Sequence, residues 1–132
     1  MKIYQKKNSN NQYQFSGWYN EKNDYNIESV RNSIDEYKKL IESDSAWGCF
    51  EDDETPMMNL QNISHKITNI DMDEHGMIYG DLTILDTPKG KMLQKILSPE
   101  TIQYASIYPK GTCEIEDGVM YINNLSGFNI CI

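Results

Sequence analysis

The sequence predicts an α+β domain, a mostly antiparallel β-barrel or curled sheet that carries two or more helices on its outside. Three observations predict it. Short apolar runs of period two recur along the chain between clusters of Gly, Pro, Asn and Asp. Two other segments show helical spacing and begin with capping residues. The chain has 132 residues with no internal repeat and no linker, which suits one domain, 1–132, around a single core.

Ile3-Tyr4 and Tyr13 to Tyr19 alternate well enough for strands, and the polar residues 6–12 between them read as a loop. Ile27, Val30, Ile34, Tyr37, Leu40 and Ile41 recur at helical spacing, so a helix over 27–43 starts at an Asn26 cap and lays one stripe on the core. Trp47 to Glu51 is a short strand that runs into the acidic stretch Glu51-Asp52-Asp53-Glu54. That stretch lacks the glycine and spacing of a calcium loop and reads as a solvated loop, ended by Pro56. Met57 to Ile70 is a strand whose apolar residues fall only partly in register, which predicts a bulge. A turn at Asp71 to Gly76, holding His75, leads to a return strand, Met77 to Leu85.

Thr87-Pro88 is a helix start, because threonine caps and proline's missing N–H costs nothing at the first helical position. Met92, Leu93, Ile96 and Leu97 give the buried face of that helix, 88–97, and Ser98-Pro99 ends it. Thr101 to Tyr108 reads as a strand broken by Pro109-Lys110-Gly111. Cys113 to Ile115 and Val119 to Ile122 form a hairpin about Glu116-Asp117-Gly118, and Leu125 with Phe128 to Ile132 supplies the last strand.

Composition narrows the function classes. A net charge of -8 argues against nucleic acid and anionic membrane as partners. The basic start Met1 to Lys7 runs into polar residues instead of an apolar leader, and no apolar run approaches the roughly 20 residues of a membrane span, so a soluble, intracellular protein is expected. Cys49, Cys113 and Cys131 lack the paired spacing of a zinc or redox motif; they are expected as free thiols, with Cys113 and Cys131 as small core residues.

His65 lies in the alternating run Ile63-Ser64-His65-Lys66-Ile67. With Ser106 on a later strand and Glu51 at the end of an earlier one, it completes the parts of a serine hydrolase: nucleophile, general base and an acid that orients the imidazole. Residue types alone favour the plainer reading, in which His65 is a satisfied structural histidine and Ser106 one serine among many.

The run Ile63-Ser64-His65-Lys66-Ile67, followed by Gly80 and Leu85-Asp86-Thr87-Pro88-Lys89-Gly90-Lys91, resembles the core of the prohead (capsid maturation) proteases of large tailed phages. Gly48 to Asp53, with Pro56 and Asn59-Leu60, is similar to that family's Gly-Glu-Leu-Asp-His-Pro segment. Tyr104-Ala105-Ser106 with Lys110-Gly111 is similar to its Ser-Ser-Arg-Gly segment, and Gly127 to Ile130 to its closing strand. The resemblance covers most of the chain from residue 26 onward.

It implies a herpesvirus-protease-like β-barrel with surrounding helices, and a serine endopeptidase that cleaves scaffold and capsid proteins during head assembly. His65 would be the general base, Ser106 the nucleophile and Glu51 the orienting acid, with backbone N–H groups at Lys110 and Gly111 holding the oxyanion. It implies no metal and no organic cofactor. Partners would be scaffold and capsid proteins, self-association is left open, and the location would be the host cytoplasm inside the assembling prohead or virion. Glu51-Asp52 stands where the family has Asp-His, and Ser106 lacks the following Ser-Arg-Gly spacing. The alternative is therefore a catalytically silent homologue that serves as a structural virion or capsid-assembly component.

Overall fold

Seven strands close into a barrel in a computed structural model that describes residues 1–7, 9, 11–22, 24–51 and 61–132, with Glu51 by its backbone only. In chain order the elements are β1 (Lys2–Gln5), β2 (Gln12–Gly17), α1 (Ile27–Glu42), β3 (Trp47–Glu51), β4 (Ile63–Met72), β5 (Ile78–Ile84), α2 (Pro88–Ile96), a 3-10 turn (Ile102–Tyr104), β6 (Ser106–Glu116) and β7 (Val119–Cys131). Around the wall the order is β1-β2-β5-β4-β3-β7-β6, and β6 returns to β1. All pairings are antiparallel except that of β3 with β7.

Period-two alternation builds the core. Tyr13 and Phe15 of β2, Ile78, Leu82 and Ile84 of β5, Ile67, Ile70 and Met72 of β4, and Phe128 and Ile130 of β7 are buried together. Phe15 and Phe128 meet with ring centroids 5.6 Å apart, and Tyr37 of α1 approaches Phe128 edge-on at 5.3 Å. The bulge expected in β4 is present, as a register shift between Ile67 and Asn69 against β5. It carries the buried set Ile63, His65 and Ile67 onto Ile70 and Met72, so one face of β4 stays inward along its whole length.

Both helices begin where their caps predict. The Asn26 side chain accepts from the Ser29 N–H at 2.8 Å, and Val30, Ser33, Ile34 and Tyr37 turn the buried stripe of α1 toward β7 and β4. Thr87 accepts from the Gly90 N–H at 3.0 Å and donates to the Ile63 carbonyl at 2.5 Å, which fastens the start of α2 to the start of β4. Met92, expected on the buried face of that helix, is instead exposed, and Leu93 is buried.

Three expectations are corrected. Residues 101–108 are not one strand: a 3-10 turn ends at Tyr104, and β6 then runs from Ser106 to Glu116 straight through Pro109-Lys110-Gly111. Proline is tolerated because, beyond Ile107, β6 pairs among the described residues with β7 alone, so the ring faces an open edge. Strand β2 stops at Gly17 rather than Tyr19. Cys113, expected in the core, is exposed on the hairpin arm, while Cys49 is buried and Cys131 half-buried; none of the three is in a disulfide. The hairpin turn is as expected: Asp117 (φ 51) and Gly118 (φ 80) both take positive φ, the conformation a two-residue turn between twisted strands demands. The acidic run beyond Glu51, Pro56 and the expected strand residues Met57 to Leu60 lie outside the described residues. No helix among the described residues is long and apolar enough to cross a membrane.

Candidate functional site around His65

His65 is fully buried, and its position follows from a second irregularity in β4. Against β3, Gly48 pairs with His65 and Cys49 with Ile63, so Ser64 is an extra residue with no partner opposite it on β3. In a regular strand neighbouring side chains point to opposite faces. At this bulge the Ser64 hydroxyl instead lies 2.7 Å from His65 Nδ1. Ser64 is itself fully buried, roofed by the start of α2.

The other ring nitrogen reaches across β3. His65 Nε2 lies 2.7 Å from the carbonyl oxygen of Phe128 on β7. Only glycine at position 48 allows this, since a Cβ there would sit 2.2 Å from Nε2 and 2.2 Å from the same carbonyl. Strand β3 pairs with β7 at Phe50 and Glu51, and at the level of Gly48 the imidazole bridges the two flanking strands. The Asn129 side chain adds a further link by accepting from the Cys49 N–H at 3.1 Å.

The hydrogen bonds fix the tautomer. A carbonyl only accepts, so Nε2 carries the proton and donates to Phe128; Nδ1 then accepts from the Ser64 hydroxyl. Burial pushes the imidazole down to about 4, with the Phe128 carbonyl opposing in part, so the ring is neutral at pH 7. This is a donor–acceptor pair of the kind that activates a serine, but neither partner has any surface open to a substrate.

The structure does not bring Ser106 to His65. Ile107 is fully buried and takes the core face of β6, so Ser106 projects from the outer face. His65, opposite Gly48 and the buried Ile84, takes the core face of β4. Strands β3 and β7 separate the two along the wall, a path of roughly 14 Å at strand spacing. Both ring nitrogens of His65 already have partners, and neither is Ser106. Alternation, rather than distance along the chain, is the physical reason: a residue on the outward parity of one strand does not meet one on the inward parity of another.

Glu51 ends β3, and its backbone pairs with Cys131, which also pairs with Ser106. Its side chain lies outside the described residues. Lys110 and Gly111 pair with Gly127 and Leu125, four and five residues along the extended β6 strand, which places their N–H groups roughly 13 Å or more from Ser106. They are not positioned as oxyanion donors for that hydroxyl. His75 is exposed in the turn between β4 and β5, with Nε2 3.5 Å from Glu74. No cluster of side chains among the described residues has the makings of a metal site.

Sequence reasoning missed Ser64, Gly48 and Phe128 as the partners of His65. The adjacent Ser64-His65 pair and the glycine before Cys49 were the available signals. It also missed the outer cleft of about 530 Å³ that Ser106 borders together with Trp18, Glu21 and Tyr104.

No protein-family model matches the sequence, and neither does any curated protein. Among solved structures, the capsid assembly protease of bacteriophage T4 is similar over 91% of this chain and 81% of that one, with a TM-score of 0.65 and 12% sequence identity. The chain has a phage capsid protease-like fold. At that identity the similarity speaks for the fold and leaves the chemistry to the residues.

Proposed function

We propose that this chain is a catalytically silent protease-fold component of phage head assembly, one that binds scaffold or capsid polypeptides inside the immature head without cleaving them. The observation that carries this reading is His65: a neutral, fully buried imidazole with both nitrogens committed, on the opposite face of the wall from Ser106. A general base needs access to the proton it removes and a proton affinity near the working pH, and this ring has neither. Its hydrogen bonds instead join β4 to β7 across Gly48, a structural role.

The second reading is an active serine endopeptidase using Ser106, His65 and Glu51 with oxyanion donors at Lys110 and Gly111. It draws support from the partial exposure of Ser106 at the rim of the outer cleft. It requires β4 or β6 to turn over so that hydroxyl and ring share a face.

Labelling by a serine-directed fluorophosphonate, beside incubation with purified scaffold and capsid proteins, separates the two. The silent reading expects no labelling, no cleavage, and intact chain co-sedimenting with immature heads. Labelling of the wild type that is lost in Ser106→Ala would overturn it.

A further inference from the structure

Beyond Ile107 the outer edge of β6 is open, and its geometry is unusually regular. The Ile107 N–H and carbonyl both bond to Met1, at 3.0 and 2.9 Å, so on this strand the odd-numbered residues turn their backbone groups outward. Pro109 follows that rule, since its missing N–H falls on the open side. Gly111, Cys113 and Ile115 then present outward N–H and C=O groups along a straight run. The irregularities of this hairpin sit on the other strand: Gly111 pairs with Leu125, Lys110 with Gly127, Cys113 with Ile122 and Thr112 with Asn124, so Asn123 and Ser126 of β7 are the extra residues.

The far edge of β7, by contrast, is covered. Met120 exchanges backbone bonds with Asp24 and Asn26, both at 2.8 Å, and the Ile122 N–H donates to the Ser29 hydroxyl at 3.0 Å. One edge of the arm is thus blocked, and among the described residues nothing pairs with the other. Exposed edges are commonly guarded by bulges or inward charges. On this edge Pro109 and Lys110 stand at the start, but Gly111, Cys113 and Ile115, whose backbone groups face outward, carry neither a bulge nor a charge, and they bear an exposed face of Cys113 and Ile115, the latter 69% exposed.

The pattern of side chains along this edge complements itself. In an antiparallel pair of two β6 strands centred on Cys113, Lys110 faces Glu116, Gly111 faces Ile115, and Thr112 faces Glu114 of the other copy. The two lysine–glutamate pairs unite opposite charges, and Ile115 lies over a glycine that offers no side chain to oppose it. Pro109 and the Asp117-Gly118 turn bound the segment at its two ends. We propose that the open edge of β6 binds a second copy of this chain, two strands pairing antiparallel about a two-fold axis at Cys113. The contact extends the sheet from one barrel to the next. It goes beyond the functional reading above and does not depend on it.

The test uses the purified full chain alone. Sedimentation should show a monomer–dimer equilibrium. Lys110→Glu and Glu116→Lys should each weaken the dimer on the order of tenfold or more, because each puts like charges at two symmetric positions, and the double variant should restore it. Diamide, an azo oxidant that takes up the two electrons and two protons given up by a pair of thiols, should trap a covalent dimer that forms no longer in Cys113→Ser. That variant keeps its non-covalent dimer. A chain that stays monomeric at all concentrations overturns the proposal. So does a dimer indifferent to both charge reversals, or one in which Lys110→Glu is rescued by Glu114→Lys instead of Glu116→Lys.

Discussion

Lowering the pH should destabilise this protein through one buried ring. In the folded chain His65 takes up a proton only below about 4, whereas the exposed imidazole of the unfolded chain does so at its ordinary 6.5. The unfolded state therefore binds more protons throughout that window, and stability falls as pH falls. The contribution of His65 is complete above 6.5, declines between 6.5 and about 4, and is fully lost below. A separation of about two and a half pH units, at about 1.4 kcal/mol each, amounts to roughly 3.5 kcal/mol in all, of which roughly 2 kcal/mol is gone by pH 5.

Urea denaturation at a series of pH values measures it. Carboxylates titrate nearby, so the quantity to read is the difference between the wild type and His65→Gln, which has no titrating ring. The variant starts lower, having lost a buried bridge, and should show the shallower decline between pH 7 and 5. The Cε1 proton resonance of His65 should also stay unmoved over that range in the folded chain. A wild type whose stability falls no faster than the variant's, or a ring titrating near 6 to 7, would refute the reasoning. It would place His65 in contact with solvent, where a general base belongs.

Two further substitutions probe the same framework. Gly48→Ala sets a methyl 2.2 Å from both His65 Nε2 and the Phe128 carbonyl, so it should expel the ring and cost about 3 kcal/mol or more, read as a lower denaturation midpoint. Thr87→Ala removes the cap on Gly90 and the bond to Ile63 together, and should cost about 1 to 2 kcal/mol in the same measurement.

Local elements were legible from the residues alone, because their causes are local. Asn26 and Thr87 cap their helices by reaching three residues ahead, and Asp117-Gly118 turns the hairpin because two successive residues accept positive φ. The uneven apolar spacing in the strand bearing His65 announced a bulge, and many short runs with two helices announced the barrel class. Pro109-Lys110-Gly111 misled, since a proline breaks a strand only where its N–H is needed, and which edge stays open is a property of the whole sheet.

The site was half legible. Ile63, His65 and Ile67 share one parity, and Ile107 beside Ser106 marks the serine as outward, so the opposite faces were present in the pattern. What the imidazole touches was settled by the assembled barrel. The bulge at Ser64 swings one hydroxyl to Nδ1, and the bare backbone of Gly48 lets Nε2 pass to a strand beyond its neighbour. The contact with Phe128 depends on register between segments more than sixty residues apart, and register across a closed sheet is set by every strand at once.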